Sequence, residues 1–263
     1  MKTRILTAVV GVPVILFCIF GPTFMMYLLA LVMMVALNYE LAHMQGENLT
    51  KLFFGCTLFN MVVAYGCYLF VTKELGFIFA LINMLMMAEV VFSYPRISLE
   101  EMLYLAFMNI YCTWLPLHMI SLRALPSGQW LLFAVFVLVW LCDSGAYFSG
   151  RLLGRHKMAP LLSPKKTIEG GIGGVLFTIL AALIIQHFWQ LAPNYGHVCV
   201  IGLLVAVGAI VGDLFESYLK RSFGVKDSGK ILPGHGGFAD RFDSFLLVAP
   251  LCFYYFSATL TVA

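Results

Sequence analysis

Apolar residues run along this chain in blocks that are too long for strands and too continuous for the one-faced helices of a soluble domain. A helix that crosses a bilayer needs about 20 mostly apolar residues. Nine blocks reach or approach that length, near residues 5–21, 24–39, 52–71, 76–94, 102–121, 129–149, 171–190, 197–219 and 243–261. The pattern predicts an all-α, polytopic integral membrane protein with about nine transmembrane helices. The fifth block is the least regular. Asn109, Pro116 and His118 interrupt it, so a kink or a partly interfacial course is expected there. The N-terminus, M-K-T-R-I-L-T-A-V-V, has the outline of a signal peptide. No small-residue cleavage site follows it, and it reads as a first retained helix.

The polar positions between the blocks are unevenly charged. The longest connections join blocks six and seven and blocks eight and nine. Residues 150–170 carry Arg151, Arg155, Lys157, Lys165 and Lys166, and residues 220–242 carry Lys220, Arg221, Lys226, Lys230 and Arg241. The connection L-A-P-N-Y-G-H between blocks seven and eight has neither Lys nor Arg. An excess of Lys and Arg marks the cytoplasmic side, so both basic loops are expected there. Counting back through nine spans puts the N-terminus in the cytoplasm and leaves only Lys73 and Arg123 on the far side. Two parts are expected: N-terminal transmembrane helices over 1–125, and a catalytic transmembrane half over 126–263 that carries the two cytoplasmic basic loops.

Composition agrees with lipid as the main solvent. The chain of 263 residues is 62% hydrophobic and 11% charged, with a mean hydropathy of +0.94. A soluble domain is about 25% charged. The formal net charge of +3 adds little beyond where the charges sit. Seven cysteines all lie in apolar stretches and form no C-x-x-C pair, so neither a disulfide framework nor a zinc site is expected.

The chemistry-bearing residues crowd into the second half. Asp213, Ser217 and Lys220 lie at i, i+4 and i+7 and share a helical face, with Glu216 beside it. An acid near the membrane boundary is costly unless it faces protein, water or a cation. Gly208 and Gly212 form a small-xxx-small pair that lets a neighbouring helix approach. Beyond the break at Pro233-Gly234 come His235, Gly236 and Gly237, and paired glycines can bring backbone N–H groups close to a ligand. Asp240 and Asp243 follow, three apart. Asp213, Asp240 and Asp243 are therefore expected to converge, and hard oxygen ligands of this kind suit Mg²⁺. The bland alternative is that these acids pair only with Lys220, Arg221 and Arg241 or cap the last helix.

The first basic loop adds Asp143 at the end of block six. Ser163-Pro164 has the form of an N-cap followed by Pro at the first helical position, which would set Lys165 and Lys166 in a first turn. Cations there oppose the helix dipole, and a bound anion would resolve the conflict. The pair could equally serve only to orient the chain. Glu89, inside block four among Met and Val, reads as an interhelical hydrogen-bonding partner or as a protonated acid. His187 and His197 read as structural.

The run from Ser217 to Asp243, S-Y-L-K-R-S-F-G-V-K-D-S-G-K-I-L-P-G-H-G-G-F-A-D-R-F-D, resembles the hallmark motif of the phosphatidate cytidylyltransferases, also called CDP-diacylglycerol synthases. The stretches D-S-G-A-Y and S-P-K-K-T-I-E-G are also similar to this family. The likeness is strong over about residues 140–243 and only general before them. It implies a reaction of CTP with phosphatidate to give CDP-diacylglycerol and pyrophosphate, with Mg²⁺ as cofactor, at the cytoplasmic face of the cytoplasmic membrane. It also implies that Asp213 and Asp240 are metal-binding carboxylates, with Asp243 and Asp143 as further metal candidates. Asp213, Lys220, Arg221, His235 and Asp240 become the candidate catalytic residues. Lys165, Lys166, Ser217, Lys226, Asp227, Gly236, Gly237 and Arg241 become the candidate substrate-binding residues.

A phosphate oxygen is already ionised at neutral pH, so this reaction needs no protein nucleophile. Positioning and electrostatics carry it. The expected partners are the two substrates and the bilayer, with no nucleic acid, and a homodimer is left open. The competing reading is a transporter or flippase of an anionic lipid or nucleotide. That reading would place binding residues near the midplane, whereas here they gather at one face. A related CTP-dependent lipid-modifying enzyme is the nearer alternative.

Overall fold

The computed structural model describes residues 2–44, 47–232, 234 and 236–260, and their side chains except at 2–6, 8, 47–53 and 260. Each apolar block forms a helix. They are α1 (Lys2–Phe20), α2 (Thr23–Met44), α3 (Glu47–Phe70), α4 (Leu75–Phe92), the composite helix α5 (Leu99–Asn109) and α6 (Leu115–Arg123), α7 (Gly128–Leu153), α8 (Ile168–Trp189), α9 (Tyr195–Ser222) and α10 (Ala239–Leu260). Seven helices among the described residues are long and apolar enough to cross a membrane, with α5 and α6 counted as one. α1 and α3 hold the shorter apolar stretches Val9–Phe20 and Phe54–Phe70. This is the architecture of a multi-pass membrane protein.

The irregular fifth block is a helix with a π-turn over Ile110–Trp114, joining α5 to α6. The Leu115 N–H donates to the Ile110 carbonyl, five residues back. Pro116 follows at once. It has no N–H for the regular ladder, and a widened turn absorbs the mismatch. α5 itself starts from a capping box: the Glu101 N–H donates to Ser98 Oγ at 3.3 Å, and the Ser98 N–H donates to Glu101 Oε2 at 2.6 Å.

The chain divides into two compact units, residues 1–121 with 227–240, and residues 122–226 with 241–263. The segment Asp227–Asp240, which the sequence groups with the C-terminal half, thus belongs to the first unit. In that unit, several buried polar groups are tied across helices, which an apolar solvent favours. Tyr104 Oη donates to the Leu41 carbonyl at 2.7 Å, and Trp114 Nε1 donates to the Leu75 carbonyl at 3.0 Å. Asn60 Nδ2 donates to Glu89 Oε2 at 3.1 Å, the interhelical role expected of Glu89.

The second unit is held by close helix crossings. α7 and α8 meet through glycines on both. A methyl carbon at Gly145 would lie 2.6 Å from Phe177 Cβ, and one at Gly170 would lie 2.9 Å from the Ala146 carbonyl oxygen. α9 meets α10 through Gly208 and Gly212, the small pair read from the sequence. A methyl at Gly212 would lie 2.7 Å from the Asp243 carbonyl oxygen. Phe136 of α7 stacks on Phe245 of α10, with ring centroids 4.1 Å apart.

Between α7 and α8 the chain departs from an all-helical reading. β1 (Lys157–Ala159) and β2 (Ser163–Thr167) form a two-stranded antiparallel hairpin, with Lys157 opposite Thr167 and Ala159 opposite Ser163. The helix expected to begin at Ser163-Pro164 does not form there. Thr167 is the N-cap of α8, its Oγ1 accepting from the Gly170 N–H at 3.1 Å, and Glu169 in the first turn complements the dipole. Lys165 and Lys166 therefore lie in an extended strand before the helix and do not oppose its dipole. Glu169 also anchors the hairpin, accepting from the Arg155 N–H at 3.1 Å, with His156 Nδ1 2.6 Å from its Oε1.

Candidate functional site

In the second unit a cavity of about 390 Å³ opens where α7, the hairpin, α8 and α9 meet. α7 brings Asp143, Tyr147 and Arg151 to it at i, i+4 and i+8, so one helical face supplies all three. Arg151 Nη1 donates to Tyr147 Oη at 3.0 Å. β2 brings Lys165 and Lys166, α9 brings Asp213, and Gly150, Gly170 and Gly171 leave room in the wall. Lys166 Nζ lies 2.5 Å from Asp213 Oδ2, so the loop lysine and the helix acid are a pair. Two acids and three cations around one small space give a lining whose charges suit both phosphates and a cation.

Asp243 of α10 does not line the cavity; it is half-buried, with its Oδ1 accepting the Ser244 N–H at 2.6 Å. The charges of Asp143, Asp213 and Asp243 are near enough to repel one another, with Lys166 and Lys220 as the neighbouring cations. Among the described residues no three His, Cys, Asp or Glu side chains close to metal-ligand distance. The donor set still fits a hard divalent cation. Three carboxylates from three helices repel at one place, and oxygen ligands are what Mg²⁺ takes. Such an ion would be bound by movement of side chains, together with water and substrate oxygens.

Other sequence candidates are spent differently. Lys220 is ion-paired with Glu216 one turn earlier, and Glu216 is only 1% exposed, so the acid beside the stripe is a buried partner. Ser217 is buried on the same helix. Arg221 is exposed and turns back on its own chain, donating to the Val225 carbonyl at 2.9 Å. Lys226 and Arg241 are exposed. His235 lies outside the described residues.

In the first unit the turn 227–240 is built around carboxylates. Asp240 Oδ2 accepts from the Ser228 N–H at 3.0 Å and from the Gly237 N–H at 2.8 Å, and Ser228 Oγ lies 3.0 Å from it. Gly236 has φ +84° and Gly234 φ +78°, conformations that favour glycine. Asp227 is exposed, and a methyl at Gly236 would lie 3.7 Å from its Cβ. The Gly237 N–H, expected to face a ligand, is thus directed to Asp240. The residue absent from the sequence reading is Glu40 of α2, 1% exposed. It accepts from the Phe238 N–H at 2.7 Å and the Ala239 N–H at 2.9 Å, and it takes Ser228 Oγ at 3.0 Å. No motif marks it; a lone acid ending an apolar block was the available signal. Arg151 and Tyr147 were also missed, although their spacing from Asp143 carried the information.

Fold and site together define a multi-pass helical membrane protein with a cavity suited to phosphates at the end of its apolar helices, and with no Ser-His-Asp or Cys-His arrangement among the cavity's residues. The chain belongs to the cytidylyltransferase family, whose model matches residues 2–259. It is 37% identical over 262 residues to the phosphatidate cytidylyltransferase of Bacillus subtilis, covering 97% of each chain. It is 34% identical over 259 residues to that of Staphylococcus haemolyticus, covering 95% of this chain and 97% of the relative. A third, from Staphylococcus epidermidis, is 53% identical over 123 residues, a match that spans 47% of either chain.

Proposed function

We propose that this protein transfers the cytidylyl group of CTP to phosphatidate, giving CDP-diacylglycerol and pyrophosphate. A phosphate oxygen of the lipid attacks the α-phosphorus of CTP. The bond from that phosphorus to the oxygen bridging the α- and β-phosphates breaks, and pyrophosphate leaves with the bond's electrons. The observation that carries this reading is the cavity in which Lys165, Lys166 and Arg151 face Asp143 and Asp213. Two anions must meet there, and the three cations offset their repulsion and take up charge as pyrophosphate departs. The lipid oxygen arrives ionised, so no side chain has to remove a proton.

Asp143, Asp213 and Asp243 are the proposed Mg²⁺ ligands of the second unit. The ion would neutralise phosphate oxygens during transfer. Asp240, His235, Asp227 and the glycines of the 227–240 turn keep the site roles that the family resemblance implies. Nine spans, a cytoplasmic N-terminus and a site open to the cytoplasm complete the proposal. The charge asymmetry of the loops and the separate water and lipid origins of the two substrates support that orientation. The residence is the cytoplasmic membrane, as bacterial relatives suggest.

The test is turnover by purified protein in lipid nanodiscs that contain phosphatidate, with CTP, dCTP, ATP, GTP and UTP offered in turn. Pyrophosphate and CDP-diacylglycerol should appear in equal amounts with CTP and a divalent cation. Folded, metal-replete protein that releases no pyrophosphate from that mixture refutes the reading. Movement of labelled lipid across the bilayer without a new product would favour the transporter.

A further inference from the structure

We infer that Glu40 is a positioning residue for the 227–240 turn, setting the orientation of Asp240 from a helix near the other end of the chain. The inference rests on the reading of Asp240 as a site carboxylate.

Three donors converge on the Glu40 carboxylate: the backbone N–H groups of Phe238 and Ala239, at 2.7 and 2.9 Å, and the Ser228 hydroxyl at 3.0 Å. The same hydroxyl lies 3.0 Å from Asp240 Oδ2, so its single proton is shared between the two acids, and the Ser228 N–H donates to Asp240 Oδ2 at 3.0 Å. Ser228 therefore links the two acids, and an error in the placement of Glu40 passes to Asp240 through one side chain. The turn also wraps tightly on Glu40. A methyl carbon at Gly229 would lie 2.8 Å from Glu40 Cδ, and one at Gly237 would lie 2.6 Å from Glu40 Oε2. Both Gly229 and Gly237 are needed for that approach. A buried acid of this kind, 1% exposed and ringed by donors from a single turn, fixes that turn in one arrangement. Site groups held loosely by their supports lose rate rather than substrate affinity.

Glu40→Gln keeps the shape and removes one acceptor oxygen, so the turn loses at least one of its three bonds. The full chain in nanodiscs is compared with wild type for thermal unfolding, steady-state kinetics, Mg²⁺ dependence and amide exchange. The expected result is a folded protein whose kcat falls on the order of 10- to 100-fold. Its KM for phosphatidate should stay within about threefold, since uniform lipid binding is untouched. The Mg²⁺ concentration for half-maximal rate should rise. Without metal or substrate, exchange should quicken at the Phe238 and Ala239 amides. Glu40→Asp, shorter but still a double acceptor, should fall between the two. Wild-type kcat in Glu40→Gln, or unchanged exchange in the turn, overturns the inference. If Glu40→Gln does not fold, Ser228→Ala decides by the same readouts, with wild-type rate and exchange refuting it. A wild-type protein without cytidylyl transfer refutes the proposed function instead, while the exchange measurement still reads the role of Glu40.

Discussion

Replacing Lys166 with Met separates a charge that holds the protein together from one that acts on substrate. Lys166 Nζ is 2.5 Å from Asp213 Oδ2. Two unit charges at that distance attract by about 7 kcal/mol at an effective dielectric of 20 and by about 2 kcal/mol in bulk water. The side chains are 26% and 35% exposed, so the lower end applies. Side-chain entropy and desolvation reduce it further, to about 1 kcal/mol of net stability. That corresponds to a fall in Tm of about 2–4 °C for a chain somewhat shorter than this one. A cation preorganised against departing phosphates is worth more, about 3–4 kcal/mol, or 10²- to 10³-fold in turnover. Lys166→Met should therefore lose about two to three orders of magnitude in kcat/KM for CTP with a small loss of Tm. Pyrophosphate release from nanodiscs and a thermal unfolding scan measure the two. A loss in kcat/KM below about fivefold in Lys166→Met refutes the reasoning.

Asp213→Asn and Asp240→Asn should each abolish turnover while leaving a folded protein, measured by product formation and unfolding; wild-type rates remove either from the site. Gly212→Ala sets a methyl against the Asp243 carbonyl and Ser244 Cα. It should cost about 1–3 kcal/mol in unfolding free energy and lower kcat further by shifting Asp243 from Asp213. Lys220→Met removes the cation paired with buried Glu216. It should destabilise by about 3–5 kcal/mol, with the double variant Lys220→Met, Glu216→Met recovering most of the Tm. Chelation of divalent cations should end turnover and Mg²⁺ restore it; activity that survives exhaustive chelation removes the metal from the mechanism.

The helices were legible because lipid demands long apolar runs, and every block found in the sequence is a helix here. An irregularity near Pro116 was legible because a missing N–H has a local consequence, and it takes the form of a π-turn. The hairpin was not. Ser163-Pro164 satisfies the rule for a helix start, but so does Thr167 with Glu169 behind it, and only the latter sits where α8 packs on α7. Local rules propose caps, and tertiary packing selects among them. Asp143, Lys165, Lys166 and Asp213 were found as candidates, and the structure gathers them in one cavity. Their pairing was not foreseen, since Lys166 and Asp213 belong to different elements. Glu40 belonged to no motif, and a lone acid at the end of an apolar block does not reveal a role that lies in a turn far along the chain.

That separation sets a schedule for biosynthesis. Ser228 follows Glu40 by 188 residues, and Ala239 by 199. At a synthesis rate of about 5–20 residues per second, Glu40 waits roughly 10–40 s before its partners exist. During that interval α2 holds a carboxylate with none of the three donors that later surround it. The growing chain must keep this end of the helix in contact with water or with the insertion machinery. A chain arrested between α9 and α10 would have the helices of the first unit without the segment that closes on Glu40.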